Sequence, residues 1–327
     1  MMARRLARTV DCQYIAPHIM ASFLVRSGQA ACGWIDSSTP TSVPHLLRAL
    51  AADNVARDAV THIVITHVHL DHSAGCAALA SACPNAQVLA HPKAVAHLVD
   101  PSKLERSARQ IYGDVDFEAL YGARLEPVPA SRITAVHDQA QVALGDKTLG
   151  ILHTRGHANH HLVVHDTLTG EVFAGDSFGL AYPLLQSRGQ LSIPSTSPTD
   201  FDAAEARKSV RAIMALQPSE VYVSHFGRVM DIEAAAAQLL HHLDFSEALL
   251  ESAVRCAEPD AALAAFCEQR LNEYYDCVFT SRGLAAEAWA IVSKSKDMVL
   301  NAQGLAHVAV RRRNRAAMSA AMAAAKR

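Results

Sequence analysis

The chain has 327 residues, half of them hydrophobic, which is enough to bury a large core and long enough for about two domains. A formal net charge of -2 supplies no global field to recruit nucleic acid or an acidic membrane surface, and no run of about twenty apolar residues offers a membrane helix. Residues 1–8 are basic but lack the apolar stretch of a signal peptide. The seven cysteines form an odd set without a CxxC pair, so we expect reduced thiols in a cytoplasmic protein.

In chain order, β-branched and apolar runs predict strands at residues 30–36, 61–66, 87–90, 148–154, 162–165, 171–174 and 220–224. A polar turn ending in Gly170 makes a hairpin of the fifth and sixth. Helices are expected over 44–52, 73–82 with Ser73 as its cap, 101–112 and 201–216. Past Gly227 strand-like runs fade, and apolar residues recur at helical spacing over 232–250 and 261–275 among many alanines. The expected division is therefore a catalytic unit at 1–230 and a helical region at 231–327. That region could cover a cleft, form a homodimer face or give packing support. His241 and His242 are expected on its helix surface. The basic run Arg311-Arg312-Arg313-Asn314-Arg315 has no interleaved aromatic residues for base stacking, so it reads as a solvated or frayed helix and no nucleic-acid partner is expected.

The densest chemistry lies in Thr66-His67-Val68-His69-Leu70-Asp71-His72, three imidazoles and a carboxylate in six consecutive positions at the end of a predicted strand. Neutral imidazole and carboxylate suit zinc, iron and manganese, and such crowding is costly without a cation to neutralise it. His67 and His69 are two apart, which in extended backbone turns both rings to one face, toward one metal. Asp71 and His72 follow as the chain turns and are free to face a second, adjacent ion. Cys76, close by, is expected to be a packed helix residue.

This segment resembles the H-x-H-x-D-H signature of the metallo-β-lactamase superfamily, and four further elements, three downstream and one upstream, stand in the family's order. Arg155-Gly156-His157-Ala158-Asn159-His160-His161 looks like the element that supplies a third ligand of the first metal, here His157. Phe173-Ala174-Gly175-Asp176 is similar to the strand end that supplies a bridging carboxylate, Asp176. Val221-Tyr222-Val223-Ser224-His225 resembles the strand carrying the last ligand of the second metal, His225. Gly33-Trp34-Ile35-Asp36 resembles the strand whose aspartate orients a ligand imidazole. The resemblance covers residues 10 to 230 and implies an α/β fold, a four-layer αββα sandwich with the helical region appended.

The resemblance also implies the site. His67, His69 and His157 would hold one divalent ion, and Asp71, His72 and His225 a second, with Asp176 bridging; zinc is expected first, with iron or manganese also suited. A bridging hydroxide would attack an ester, thioester or lactone-type small molecule, with Asp71 orienting it or shuttling its proton. His160 and His161 would line the cleft or serve as buried hydrogen-bonding groups, and Tyr182 could donate to a substrate carbonyl. Two alternatives stay open: a non-haem iron redox or oxygen-binding protein on the same fold, and a phosphodiesterase. The short interval between Asp176 and His225 leaves no room for the inserted domain of the nuclease branch.

Overall fold

A computed structural model of the chain describes residues 7–28, 31–197 and 199–324. Residues 1–6 of the basic N-terminal stretch, Ala30 of the first expected strand, and Lys326 and Arg327 of the tail lie outside the described residues. Two six-stranded sheets face each other. Across the first run β1 (Arg8–Asp11), β2 (Ala21–Ser27), β3 (Ala31–Ile35), β4 (Val60–Ile65), β5 (Gln87–Ala90) and β6 (Ile133–Ala135). Across the second run β7 (Gln141–Leu144), β8 (Lys147–Thr154), β9 (His161–Asp166), β10 (Glu171–Phe173), β11 (Glu220–Val223) and β12 (Gly227–Arg228). β3 to β6 are parallel, as are β10 and β11, and the other pairs are antiparallel.

The helices are α1 (Val43–Ala52), α2 (Leu70–Ser73), α3 (Cys76–Ala82), α4 (Pro92–Val99), α5 (Ser102–Tyr121), α6 (Ala203–Ala215), α7 (Ile232–Arg255), α8 (Leu263–Ser281), α9 (Ala285–Ser295) and α10 (Asp297–Ala324). Strand β4 shows why the sheets lie in the middle. Val64 joins Phe23, Ile35 and Leu89 against Ile151, Val164, Phe173 and Tyr222 of the other sheet, while Ile63 and Ile65 turn outward to the cluster that holds Leu46 of α1 and Leu79 of α3. Successive side chains of a strand alternate faces, so a strand buried on both sides reads as an unbroken apolar run. The second sheet does the same: Val163, Val172 and Val221 belong to the outer cluster together with Val210 and Ile213 of α6. The result is the expected αββα sandwich, with α7 to α10 appended.

The hairpin between β9 and β10 forms as read. Asp166 Oδ1 accepts the Leu168 and Thr169 N–H groups at 3.0 and 3.2 Å, its Oδ2 takes the buried Lys147 ammonium at 2.5 Å, and Gly170 supplies a positive φ. Other expectations need correcting. Ser73 does not cap the helix after it: its hydroxyl donates back to His69 O at 3.1 Å inside α2, and Gly75 stands at the start of α3. The short α2 turn is held because Ser37 and Ser38 both donate N–H bonds to His72 O. The helix expected to end at Tyr112 resumes after a non-helical Gly113 with φ of 75° and runs to Tyr121, burying Phe117.

The basic run is exposed at Arg311, Asn314 and Arg315, as expected of a solvated helix, but two of its arginines are docked on the fold. It continues α10, where Arg312 pairs with Glu251 at 2.5 Å and Arg313 donates to the Ala253, Val254 and Cys256 carbonyls at 2.7 to 3.1 Å. A helix leaves its last carbonyls without partners, and the Arg313 guanidinium satisfies those at the end of α7. His242 is likewise buried, its Nδ1 2.7 Å from the Tyr274 hydroxyl, and burial pushes its pKa down to about 4; only His241 is exposed as expected. All seven cysteines are free, and Cys76 is buried on α3, its thiol pushed up to about 12 by burial. Among the described residues no helix is long and apolar enough to cross a membrane.

Candidate metal centre

Four strands, β4, β8, β10 and β11, deliver chemistry from their carboxyl ends to one place. His67, His69, Asp71 and His72 follow β4, His157 follows β8, Asp176 follows β10 and His225 follows β11. Two glycines make the approach feasible. Gly156, with φ of 104°, lies against the Ala206 backbone of α6, where a Cβ would overlap, and its turn brings His157 inward. Gly175, with φ of 51°, would place a Cβ 2.5 Å from His161 Nε2.

Three nitrogens converge first: His157 Nε2 lies 3.1 Å from His67 Nε2 and 3.0 Å from His69 Nδ1. Beside them, His225 Nε2 is 3.2 Å from Asp71 Oδ2, and His72 Nε2 is 3.8 Å from the same oxygen. Asp176 spans the two groups. Its Oδ1 is 3.4 Å from His72 Nε2 and 3.7 Å from His225 Nε2, while Oδ2 is 3.5 Å from His157 Nε2. Each of His67/His69/His157, His67/His72/Asp176 and Asp71/His72/His225 brings three ligand atoms within 4.8 Å of one another.

Hydrogen bonding on the far side of the rings fixes which nitrogen carries the proton. His225 Nδ1 is 3.0 Å from the Ile19 carbonyl and His157 Nδ1 3.4 Å from the Ser195 carbonyl, so both must donate there. His72 Nδ1 donates to Asp36 Oδ2 at 2.8 Å. The Thr66 hydroxyl gives its proton to Asp36, so at 3.1 Å it accepts from His67 Nδ1. Whenever one of these four rings is neutral, its Nε2 therefore has the lone pair aimed inward, the tautomer a metal ligand needs. His72 Nε2 and Asp176 Oδ1 are buried with no hydrogen-bond partner, and orphaned buried groups of this kind are costly unless something else binds them. The donor set of imidazoles and carboxylates therefore fits one or more divalent cations.

Asp36 organises this shell. Fully buried, with φ of 60° just past β3, it accepts from Thr66 N at 2.8 Å, Thr66 Oγ1 at 2.9 Å, Ser224 Oγ at 2.9 Å and His72 Nδ1. Reading the sequence found Asp36 but missed Thr66 and Ser224, although both directly precede ligand candidates. His161 is the buried hydrogen-bonding member of its pair: Nε2 accepts the Asp176 N–H at 3.2 Å, and Nδ1 faces the Thr154 and Ser177 hydroxyls at 2.8 and 3.1 Å. His160 lines the cleft, its Nδ1 accepting the Val68 N–H at 3.4 Å. Tyr182 borders the cleft too, but its hydroxyl donates at 2.8 Å to Asp297 of α10, a residue no local pattern announced.

The electrostatics divide the site. Burial, reinforced by neighbouring imidazoles, pushes His67 and His157 well below the usual histidine range and His69 down to about 3, so these three are neutral. Burial also opposes charge on His72 and His225, yet the carboxylates around them prevail, raising His72 to about 8 and His225 to about 10. Burial opposes ionisation of Asp71 as well, and there His72 and His225 outweigh it and hold the carboxyl well below the usual range. Burial lifts Asp176 above it. The metal-free site thus carries protons where a cation would sit.

The centre forms the floor of a cavity of about 930 Å³, bordered by His69, Asp71, Asp176 and His225 and walled by α5 and the start of α10. That is the size range of small-molecule sites.

Comparison with known proteins agrees with this geometry. The model of the metallo-beta-lactamase superfamily matches residues 21–225, from β2 to the last ligand candidate. The metallo-beta-lactamase fold-containing protein ST1585 of Sulfurisphaera tokodaii is 26% identical over 213 residues, 64% of this chain and 74% of its own length. An uncharacterised Bacillus subtilis protein, YobT, is 27% identical over 196 residues, 58% of this chain and 76% of its own. Among solved structures, ST1585 covers 93% of this chain and 99% of its own with a TM-score of 0.62 at 22% identity. The Thermus thermophilus protein TTHA1429, a metallo-beta-lactamase family protein, covers 94% and 93% with a TM-score of 0.61 at 18% identity. At those identities the likeness speaks for the fold, which here extends through the C-terminal helices. With the family model matching more than half of the chain, this protein belongs to the metallo-β-lactamase superfamily.

Proposed function

We propose that the protein is a dinuclear metal-dependent hydrolase of an ester, thioester or lactone-type small molecule, with zinc as the preferred metal. The observation that carries this reading is the pair of orphaned atoms, His72 Nε2 and Asp176 Oδ1, at the centre of seven converging side chains. His67, His69 and His157 would hold one ion and Asp71, His72 and His225 the other, with Asp176 placed between the two groups. Ions bound there would supply a hydroxide nucleophile at neutral pH and Lewis acidity toward the attacked oxygen.

The chain's own groups do the rest. Asp36 locks the His72 ring so that its Nε2 cannot turn away. Asp71, more exposed than Asp176 and bordering the cavity, orients the nucleophile and takes up its proton. The walls of α5 and α10 hold the substrate over the centre and limit bulk water. Alternation of neutral and charged-in-isolation imidazoles matches this division of labour: the His67 group is ready to bind a cation without losing protons, whereas His72 and His225 release theirs when one arrives.

The test is elemental analysis and optical spectroscopy of untagged protein purified without added metal, followed by a panel of lactones, thioesters, esters and phosphodiesters. Colourless zinc or manganese protein that hydrolyses a carbonyl substrate supports the reading. A ferric absorption band that bleaches on reduction, with no hydrolysis, overturns it in favour of redox chemistry, and turnover of phosphodiesters alone overturns the substrate class.

A further inference from the structure

The cavity above the metal centre is lined unevenly. Its floor is the polar centre, but the wall made by α5 and the neighbouring loops is apolar, with Leu104, Ala108, Ile111 and Leu120 from the helix and Ile15 from the loop between β1 and β2. Ile111 and Ile15 leave 50% and 42% of their surface exposed while bordering the cavity, an arrangement that costs free energy unless something apolar covers them. The rim is cationic. Lys103 of α5, Lys294, Lys296 and Arg311 border it against Asp116 and Asp200. Both acids are engaged: Asp116 pairs with Lys296 at 3.3 Å, and Asp200 accepts the Asn159 N–H at 3.1 Å. Lys103 and Lys294 are exposed and have no ion-pair partner among the described residues.

We propose that this cavity selects an anionic amphiphile: a substrate whose alkyl chain lies along Leu104, Ile111 and Leu120 and whose negatively charged group meets Lys103 and Lys294. The inference rests on the hydrolase reading only for what becomes of the bound molecule. Binding itself follows from the wall and the rim. An apolar chain removes Ile111 and Ile15 from water, and an anion supplies the partner that the two lysines lack. A cationic amphiphile satisfies the wall but is repelled at the rim, and a short anion satisfies the rim but leaves the wall wet.

The experiment measures binding to metal-loaded protein by calorimetry, using butanoate, decanoate and decyltrimethylammonium below their micellar concentrations. A fully buried methylene is worth about fourfold in affinity, so six further methylenes on a half-open wall give decanoate an advantage of about tenfold or more over butanoate. Decanoate should also outbind the cation by about tenfold. Ile111→Ser, at an exposed helix position, should cut the decanoate-to-butanoate ratio about threefold or more. Lys103→Glu combined with Lys294→Glu should weaken decanoate about tenfold, a loss not expected if its carboxylate rests on the metal centre alone. Equal affinity for butanoate and decanoate, a ratio indifferent to Ile111→Ser, or indifference to the double charge reversal overturns the proposal. Hydrolysis of 4-nitrophenyl acetate is measured in parallel. Hydrolysis without chain-length preference defeats the amphiphile and leaves the hydrolase standing; decanoate selectivity without hydrolysis of any ester does the reverse.

Discussion

The Tyr182 hydroxyl donates to Asp297 Oδ2 at 2.8 Å across 115 residues of sequence, tying the loop after the Asp176 turn to the first residue of the last helix. Both side chains are buried, and burial pushes each toward its neutral form, so the bond binds two groups that water no longer solvates. Tyr182→Phe should leave the buried carboxyl with only the Ser295 hydroxyl as donor and cost about 1 kcal/mol or more of stability in a denaturant titration. Because the phenol is committed to Asp297, we expect the same variant to lose less than about tenfold in kcat, short of the roughly 10²-fold or more that a lost catalytic donor costs. A drop far beyond that, at unchanged stability, would return Tyr182 to the role of substrate donor.

Asp36→Asn should loosen the metal instead of the chemistry. The amide replaces an acceptor for His72 Nδ1, Thr66 and Ser224 with a group that is half donor. Loss of such an outer partner weakens metal binding about 10–100-fold. Competition with a chromophoric chelator measures this, and unchanged affinity would show that His72 needs no orientation.

Asp71→Asn should spare substrate binding and damage turnover, about 10²-fold or more in kcat at saturating metal with KM little changed. Steady-state kinetics of the metal-replete variant decide it; unaltered kcat would remove Asp71 from any proton role.

Gly175→Ala tests how the backbone serves the site. Its Cβ would meet His161 Nε2, which accepts the N–H of Asp176, in a backbone conformation that L residues rarely adopt. We expect loss of bound metal together with about 1–3 kcal/mol of stability. Full metal content in a stable variant would show that Asp176 is held by other means.

Stability of the metal-free protein should depend on pH in both directions. His72 and His225 gain protons on folding, their pKa values rising to about 8 and about 10, so their contribution is complete below the unfolded value of 6.5 and fades as pH rises through 8 to 10. His67, His69 and His157 are depressed, so theirs is present above 6.5 and lost as pH falls toward about 3. Thermal unfolding of chelated protein should therefore show a maximum near neutrality, and metal loading should flatten the alkaline limb, since bound ions replace the protons on His72 and His225. A midpoint unaffected by pH from 6.5 to 10 in chelated protein would contradict the charged state assigned to that pair.

These relationships also show what the amino-acid order could convey. Residues 67 to 72 were legible from their own density at a strand end, whereas His157, Asp176, His225 and Asp36 were reached only through the resemblance; the fold brings all of these strand ends together. Strands β1, β6, β7 and β12, of two to four residues, were not read, nor was β2, whose apolar core Phe23-Leu24-Val25 is cut short by Ser22 and Arg26. Asp297, Asn301 and Arg313 were beyond reach for a different reason. Their partners, Tyr182, the Thr196 backbone and the last carbonyls of α7, are set by tertiary packing alone. The reading of the basic run as solvated holds for Arg311, Asn314 and Arg315, but charge did not show that one guanidinium, that of Arg313, serves a helix end.

The measurement that bears most directly on the dinuclear centre is metal stoichiometry by elemental analysis of the native protein beside His157→Ala and His225→Ala. Two ligand groups predict about two equivalents in the native chain and about one in each variant, with the other ion retained. A native chain that binds at most one equivalent, or variants that lose no metal, would contradict the account.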